Sequence, residues 1–362
     1  MDYLEKLKYH YKPSKGWIND PNGLVYFKGY YHIFYQHSPD YEAPGPQAMH
    51  WGHARTKDFL SWEELPIALF PDKEYDDCGC WSGTAIVKDD VLYLFYASIT
   101  EKNQAVSVAY SDDGINFTKY DKNPVIAHYP PDGGPNFRDP AVCYINGQYY
   151  CVMATGNPQE KAGRLLLYRS DDLFNWEYDG IMCEWKDCEF TECPSFMSVE
   201  NHLCLLTASV CPIEKERYFS VMYGQFSNNK FSIQHVAQLD KGPDQYAGQV
   251  FRDNLNRNIL ITWIPGWKYI SFAEKDVGCM SIPREIKLVD GKIIGYPVKE
   301  VQHLLTDTDP SVKMTDTGFV IERQGRDPIV YVGEIRDLKI LRDKYVVEVF
   351  VNGGEEIYSA LL

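Results

Sequence analysis

The stretch WSGTAIVKDDVLYLFYAS, residues 81–98, contains the pattern that decides the fold class of this chain. It combines a start of small and polar residues, an alternating strand, a tight Asp-Asp turn and a second, aromatic strand, and so predicts a β-hairpin. The pattern recurs four more times, at intervals of 53 to 61 residues. The other copies are DPNGLVYFKGYYHIFYQ from Asp20, RDPAVCYINGQYYCVMAT from Arg138, TECPSFMSVENHLCLLTAS from Thr191 and YAGQVFRDNLNRNILITWI from Tyr246.

A second hairpin-like element follows each copy, as in WGHARTKDFLSWEEL and LLLYRSDDLFNWEYD. Two hairpins make four strands, so five such units predict an all-β chain with a five-bladed β-propeller over residues 1–297. Stacked β-sandwiches are the alternative for this density of strands, but the five-fold recurrence favours the propeller. After Pro297 the pattern stops. Residues 298–362 predict a short antiparallel β module, similar to a shortened β-sandwich, with a turn at Asn352–Gly353.

The composition narrows the class of function. Aromatic residues make up 14% of the 362 residues, which favours strands and surfaces that stack on sugar-like ligands. The net charge of −15 disfavours nucleic acid and membrane surfaces as partners. No run of about 18 apolar residues is present, and the start MDYLEKLKYHYKPSKGW lacks the apolar core of a secretory signal. The ten scattered cysteines are expected to be reduced, buried thiols, and we therefore expect a cytoplasmic protein.

Three of the five repeat starts carry a carboxylate. These are Asp20 in WINDPNG, Asp139 in FRDP and Glu192 in TECPS. Each acid alone would be interpreted as a turn former or a solvated side chain. Their equivalent repeat positions, however, predict that all three meet at one mouth of the central channel. Carboxylates that face one scissile bond are the requirement for glycoside hydrolysis.

The sequence neighbours of the three acids suggest different protonation states. Glu192 lies among apolar residues, which would raise its pKa and suit a general acid. Asp20 lies beside Asn19, whose amide can stabilise an ionised nucleophile. Asp139 follows Arg138, whose charge would keep it ionised.

The same loops supply groups that bind sugars. Indole faces stack on the apolar side of a sugar ring, while amide, hydroxyl and guanidinium groups bind its hydroxyls. For any one Trp, a position in the propeller core is about as expected as ligand contact. The residues that surround the acids in this interpretation are Trp17, Gln36, Trp51, Trp81, Ser82, Arg138 and Trp263.

Six motifs in this order resemble glycoside hydrolase family 32, which contains invertases, sucrose-6-phosphate hydrolases and exo-acting fructanases. They are WINDPNG, the FYQ strand ending at Gln36, HWGHA, WSGTA, FRDP and the EC of TECPS, and the resemblance covers roughly residues 8–300. It implies a five-bladed propeller with a β-sandwich and retaining hydrolysis of β-fructofuranosides without a metal or other cofactor. It implies Asp20 as nucleophile, Glu192 as acid/base and Asp139 as transition-state stabiliser. The implied fructose site contains Asn19, Gln36, Trp51, Trp81, Ser82, Arg138 and Trp263, and the DQYA stretch adds Asp244 and Tyr246.

Four departures from the family pattern surround this site. Ser38-Pro39 replaces Asn-Pro, residues 43–49 lack a Trp, Ser195 replaces an Asp, and Gln245 replaces an aromatic residue. None of the four changes an acid, so the reaction type is expected to hold. The missing Trp and Asp would remove contacts to a second sugar, and we therefore expect weak selection for glucose as leaving group.

Two other functions stay open at this point. One is inverting hydrolysis of another furanoside, such as an arabinoside, for which the carboxylates would be about 6.5–9.5 Å apart instead of about 5–5.5 Å. The other is a sugar-binding propeller without turnover. Among fructosides, sucrose, sucrose 6-phosphate and short fructans are all compatible with the sequence, and a small carbohydrate is the expected partner. A homo-oligomer is also open, because the short C-terminal module could expose apolar surface.

Overall fold

Five β-sheets follow one another along the chain, and each begins with one of the repeated stretches. The computed structural model describes residues 6–40, 48–199, 203–265 and 278–362. The first two sheets contain β1 (Trp17–Phe27), β2 (Tyr30–Ser38), β3 (His50–Thr56), β4 (Trp62–Leu69), β5 (Gly79–Lys88), β6 (Val91–Ile99), β7 (Gln104–Ser111) and β8 (Thr118–Lys119). The next two contain β9 (Phe137–Ile145), β10 (Gln148–Asn157), β11 (Ala162–Ser170), β12 (Glu177–Lys186), β13 (Cys188–Ser198), β14 (Leu203–Pro212), β15 (Tyr218–Ser227) and β16 (Lys230–Ala237). The fifth contains β17 (Tyr246–Arg252), β18 (Asn258–Ile264), β19 (Cys279–Met280), β20 (Arg284–Val289) and β21 (Lys292–Pro297).

Two-residue turns join the first two strands of the first three sheets. Asp89 and Asp90 join β5 to β6 with φ of 52° and 60°, and Asn146 and Gly147 join β9 to β10 with φ of 51° and 86°. Positive φ at both central residues matches the right-handed twist of paired strands, and Asp, Asn and Gly tolerate it best. The hairpins predicted from the repeats are therefore present.

A second recurring turn joins the third and fourth strands of the first three sheets. A Ser or Thr hydroxyl donates to an Asp two residues later, at 3.0 Å for Thr56 and Asp58 and at 2.8 Å for Ser111 and Asp113. The same carboxylate accepts hydrogen bonds from the following backbone N–H groups. This local network explains why an Asp recurs at this place in the sequence.

The five sheets close into a ring, which makes the described chain a five-bladed β-propeller. The innermost strands are β1, β5, β9, β13 and β17, and each contacts the next, with β17 contacting β1. The side chain of Gln249 in β17 links its blade to two others: it accepts from the N–H of Leu24 in the neighbouring β1 at 3.1 Å and donates to the carbonyl of Gly83 in β5 at 3.0 Å. The predicted all-β propeller is therefore confirmed.

Each blade carries an interruption in the register between its inner strand and the second strand. Within these interruptions Asp139, Cys193 and Ala247 have positive φ, at 60°, 47° and 52°. A β-bulge bends the strand and redirects its side chains. Here the bulges lie at the strand starts, next to the predicted acids.

The residues after the propeller form two small antiparallel sheets. One contains β22 (Val312–Thr315), β23 (Gly318–Ile321) and β24 (Ile329–Val332), and the other contains β25 (Leu338–Asp343), β26 (Val346–Val351) and β27 (Glu356–Leu361). A short 3₁₀ helix, Gln302–Leu304, precedes them. Phe319 and Tyr331 of the first sheet share one buried cluster with Val349 and Tyr358 of the second, so the sheets pack as a small sandwich.

The position of the domain boundary stays a prediction. We propose the division after residue 297, because the last propeller strand ends at Pro297 and the following residues belong to the module. Within the described ranges, no helix combines the length and the apolar character needed to cross a membrane.

Candidate active site

The starts of the five inner strands line a pocket of about 360 Å³ at one mouth of the propeller. Later residues of the same strands line a separate pocket at the opposite end of the channel. The three predicted acids thus lie together, as equivalent repeat positions required. The pocket is lined by Trp17, Asn19, Asp20, Gln36, Met49, Trp81, Ser82, Arg138, Asp139, Glu192, Arg217, Tyr246 and Trp263.

Asp20 is held by donors from its own blade and from the next one. The hydroxyl of Ser82 donates to Oδ2 at 2.7 Å, and the amide of Asn19 donates to Oδ1 at 3.2 Å. The indole N–H of Trp17 donates to the Asn19 oxygen at 2.7 Å and fixes that amide. The carboxylate of Asp20 is therefore oriented by groups that favour its ionised form.

Asp139 lies deeper, at the bulge of β9. Its Oδ2 accepts the backbone N–H of Cys193 at 2.9 Å. The thiol of Cys193 lies 3.6 Å from the same oxygen and 3.4 Å from Oδ2 of Asp20. Cys193 thus lies between two of the three acids and is the residue next to the third, Glu192.

Glu192 contacts more partners than the other two acids. Arg138 donates to Oε1 at 2.9 Å, and the hydroxyl of Tyr246 donates to Oε2 at 2.5 Å. Arg217 lies 3.6 Å from Oε2, and the Cys211 thiol lies 3.5 Å from it. Two guanidinium groups therefore balance part of the charge of three buried carboxyl groups.

These contacts distribute the site's protons differently from the expectation based on sequence neighbours. Burial, together with the charges of Glu192 and Asp20, raises the pKa of Asp139 to about 7 despite Arg138. Burial also raises the pKa of Asp20. Burial acts to raise the pKa of Glu192 as well, but Arg138 and Tyr246 outweigh it and lower that pKa.

The prediction of a raised pKa for Glu192 is therefore wrong, and Asp139 is only partly ionised near neutral pH. Both causes are tertiary: burial beside Glu192 and Asp20 raises the pKa of Asp139 although the charge of Arg138 acts to lower it, and Arg138 and Tyr246 stabilise the ionised form of Glu192.

Most of the predicted sugar-binding residues lie around the acids. Trp17 and Trp263 meet edge to face with ring centroids 5.8 Å apart and form one wall, and Trp81 lies 5.9 Å from the guanidinium carbon of Arg138. Gln36 lines the pocket while its amide donates to the carbonyl of Cys80 at 3.0 Å. This wall offers aromatic faces beside hydrogen-bonding groups, which is the combination that sugar binding uses.

Two predicted binding residues lie elsewhere. Trp51 is 0% exposed and packs in the hydrophobic core, with its indole N–H donating to the carbonyl of Trp81 at 3.0 Å. Asp244 is also fully buried and accepts the backbone N–H of Leu361 at 2.9 Å. Trp51 thus supports the pocket wall from behind, and Asp244 fixes the C-terminal module to the propeller.

The four sequence departures likewise lie partly beside the acids and partly elsewhere. The Ser195 hydroxyl accepts the backbone N–H of Val250 at 3.0 Å and lines the pocket at the opposite end of the channel. The expectation that Ser195 borders the leaving group is therefore wrong. Gln245 lines a second pocket beside the acids, and Ser38 is buried at the end of β2. In the loop expected to lack the Trp, residues 43–47 lie outside the described residues, and Met49 lines the acid pocket.

Sequence reasoning missed three residues that contact the acids: Cys193, Cys211 and Arg217. Cys193 and Cys211 lie on β13 and β14, where their small apolar side chains look like ordinary core residues. Arg217 lies in the connection between β14 and β15, outside the inner strands. Because Arg217 is not at the start of an inner strand, the repeats carry no signal for it.

Comparison with known proteins places these features in a family. Residues 10–297 match the model of the glycosyl hydrolases family 32 N-terminal domain. The chain belongs to glycosyl hydrolase family 32. A sucrose-6-phosphate hydrolase of Zymomonas mobilis is 35% identical to it over an alignment of 323 residues, and the match covers 82% of this chain and 62% of that protein. A sucrose-6-phosphate hydrolase of Escherichia coli is 35% identical over 317 residues, covering 82% and 65%.

A solved family 32 structure supports the same assignment. The β-fructofuranosidase of Bombyx mori has a TM-score of 0.85 and 27% identity, and the match covers 100% of this chain and 89% of that one. The chain spans about 62–65% of the length of the two curated family 32 relatives named above.

Proposed function

We propose that this chain hydrolyses terminal β-D-fructofuranosides by a retaining, double-displacement reaction. The observation that carries the proposal is the meeting of Asp20, Asp139 and Glu192 in one pocket around Cys193. The relatives named as sucrose-6-phosphate hydrolases and as a β-fructofuranosidase support the same substrate class.

Asp20 is the proposed nucleophile. Its donors, Ser82 and Asn19, stabilise the carboxylate and fix its direction, at 2.7 and 3.2 Å. Attack on the anomeric carbon forms a covalent fructosyl-enzyme, and water then releases fructose with net retention. Asp139, which lines the same pocket, is the proposed stabiliser of the positive charge that develops on the sugar.

Glu192 is the proposed acid in the first step and base in the second. The ion pair with Arg138 favours its ionised form, and Asp139 is the group with a pKa of about 7. A sugar whose hydroxyls bond to Arg138 weakens that ion pair and so raises the pKa of Glu192. Substrate binding therefore prepares Glu192 to donate a proton to the leaving oxygen.

Release of free fructose from sucrose, sucrose 6-phosphate and short fructans is the direct test. Asp20→Asn is expected to lower kcat by about 10⁴-fold or more, because an amide cannot attack the anomeric carbon. Asp90→Asn is the matched control, since Asp90 lies in an exposed turn with its side chain 82% exposed. Full activity in a folded Asp20→Asn variant would remove Asp20 from the mechanism.

The stereochemistry separates this proposal from its rivals. NMR of the first-formed fructose should show the β anomer, which is the configuration of the substrate. An inverting arabinosidase would instead release arabinose with the anomeric configuration opposite to that of its substrate. Fructose binding in calorimetry with no turnover of any furanoside would instead indicate a sugar-binding propeller.

Two further expectations stay predictions. The first is a cytoplasmic location, which agrees with ten free thiols, nine of them buried, and which cell fractionation would test. The second is self-association. The outer face of the C-terminal module exposes Val330 at 59% and Val332 at 71%, and a second subunit could cover them. Sedimentation of the purified chain measures this directly.

A further inference from the structure

A buried amide of the fifth blade connects the two strands that hold the proposed nucleophile. Gln249 of β17 is 4% exposed. Its oxygen accepts the backbone N–H of Leu24 in β1 at 3.1 Å, and its nitrogen donates to the backbone carbonyl of Gly83 in β5 at 3.0 Å. Leu24 lies on the same strand as Asp20, and Gly83 directly follows Ser82, whose hydroxyl donates to Asp20 at 2.7 Å. One side chain therefore links the strand of the nucleophile to the strand of its donor.

The bulges of the inner strands explain why these backbone groups use a side-chain partner. In β1 the register with β2 shifts just before Val25, so Leu24 lies inside the interruption. In β5 the register with β6 shifts just before Gly83, and Ser82 is the extra residue of that bulge. A bulge leaves its extra residue unpaired and disrupts the ladder locally. The position of Ser82 therefore depends on what holds its neighbours.

A third bulge directs Gln249 towards these two strands. The register of β17 with β18 shifts between Tyr246 and Gln249, and Ala247 inside the interruption has a φ of 52°. Such a bulge bends the strand and redirects the side chain that follows it. An amide can accept from one backbone group and donate to another at the same time, as this position requires.

We propose that Gln249 is a positioning residue for the nucleophile, because it sets the place of the Ser82 hydroxyl relative to the Asp20 carboxylate. This inference rests on the proposed function. Burial raises the pKa of Asp20, and the hydrogen bond from Ser82 opposes that effect. Without the amide, Gly83 loses its tie to β17 and Ser82 shifts with it. Asp20 then loses part of its orientation and part of the stabilisation of its charge.

The test removes the amide while every group of the acid pocket stays in place. Gln249→Met keeps the length of the side chain but offers no comparable donor or acceptor. Gln249→Asn keeps the amide on a side chain one methylene too short to reach both backbone groups. Ser195→Ala is the matched control, because it also removes a buried bond between inner strands, at 3.0 Å to Val250, but between β13 and β17.

The readout is the pH dependence of fructose release from the best substrate among sucrose, sucrose 6-phosphate and short fructans. Both Gln249 variants should lower kcat about 10- to 100-fold, with KM little changed. They should also move the acid limb of kcat/KM to higher pH, by about 0.5–1 pH unit. Ser195→Ala should keep the position of that limb. The other ionisable groups that interact with Asp20 are Glu192, Asp139 and Cys193, and all variants retain them.

A double-mutant cycle shows whether the effect acts through Ser82. In Ser82→Ala the nucleophile already lacks this donor, so adding Gln249→Met should move the acid limb no further. Equal shifts in both backgrounds would overturn the positioning role. An acid limb that Gln249→Met leaves unchanged would overturn it too, and in both cases the hydrolase proposal stays intact.

Thermal unfolding shows which variants keep the fold. Gln249→Asn decides if Gln249→Met does not fold. Unfolding of both beside a folded Ser195→Ala would make Gln249 a requirement of the fold and overturn the proposal. The absence of fructose release from all three substrates in wild type would instead overturn the proposed function itself.

Discussion

Arg138 donates to Glu192 at 2.9 Å, so at the residue scale it influences which acid of the pocket holds a proton. It lowers the pKa of Glu192, while Asp139, buried beside two other carboxylates, has its pKa raised to about 7. The three acids interact closely, and their titration belongs to the cluster as a whole. The reaction needs one proton in the pocket and an ionised Asp20.

This distribution predicts a bell-shaped pH profile of kcat/KM. The alkaline limb should lie near pH 7, since above it the cluster loses the proton that Asp139 holds. The acid limb reflects protonation of Asp20, whose pKa is raised from 3.8. Asp139→Asn should reduce the rate and also move the alkaline limb to lower pH, because Glu192 loses a negative neighbour that favours its proton. A lower rate with an unchanged alkaline limb would contradict the assignment of that limb to the proton of the acid cluster.

The acids themselves could be predicted from the sequence, but their charges could not. Asp20, Asp139 and Glu192 occupy equivalent repeat positions, and the ring of inner strands brings equivalent positions together. The pKa of Glu192, however, depends on Arg138, Tyr246 and Arg217, which are distant along the chain and approach only through the fold. Apolar neighbours in sequence gave the wrong direction because they do not describe what faces the carboxylate.

At the scale of the strand, hydrogen bonds between inner strands hold the blades in the positions that the pocket requires. The Ser195 hydroxyl of β13 accepts the N–H of Val250 from β17. Thr84 of β5 bonds to the carbonyl of Pro140 and to the N–H of Val142 in β9, at 2.9 Å each. These bonds replace backbone pairing where the inner strands of two blades meet.

Ser195→Ala should therefore affect stability and not leaving-group selection. The change leaves the buried N–H of Val250 without an acceptor and is expected to cost about 1–3 kcal/mol in the free energy of unfolding. Urea unfolding measures the loss, with Ser232→Ala on the exposed outer strand β16 as control. A changed ratio of kcat/KM between sucrose and methyl fructoside would show that Ser195 does reach the second sugar.

The strands were predictable wherever turn chemistry marked their ends. Asp-Asp, Asn-Gly and Ser-x-Asp turns recur in the blades because positive φ and side-chain capping depend on local sequence. The fifth blade departs from the pattern. Its expected third strand is divided into β19 and β20, with Pro283 between them. Proline has no N–H to donate to the ladder, which agrees with the interruption.

For the whole molecule, a buried ionic network joins the N-terminal segment, the fifth blade and the C-terminal module. His10 lies 3.0 Å from both Asp343 and Glu348 of the module. Glu348 also accepts from Arg284 of β20 at 2.7 Å, and Arg284 donates to Asp240 at 2.8 Å. The module thus fixes the segment that leads to the second pocket. The partners in this ionic network are too distant in sequence to be predicted from the repeats. The small β module itself was predicted.

The His10 contacts predict a loss of stability at alkaline pH. Burial acts to lower the pKa of His10, but Asp343 and Glu348 outweigh it and raise the pKa from 6.5 to about 9 in the folded protein. Its stabilising contribution is therefore complete below about pH 6.5 and is lost as the pH rises through 9. The shift corresponds to on the order of 3 kcal/mol in the free energy of unfolding. Wild type should accordingly lose more stability than His10→Gln between pH 6 and pH 9.5 in urea unfolding. His303→Gln, at an exposed position, is the control. Equal pH dependence in wild type and His10→Gln would mean that His10 is neutral in the folded state and that its charge adds nothing to the network.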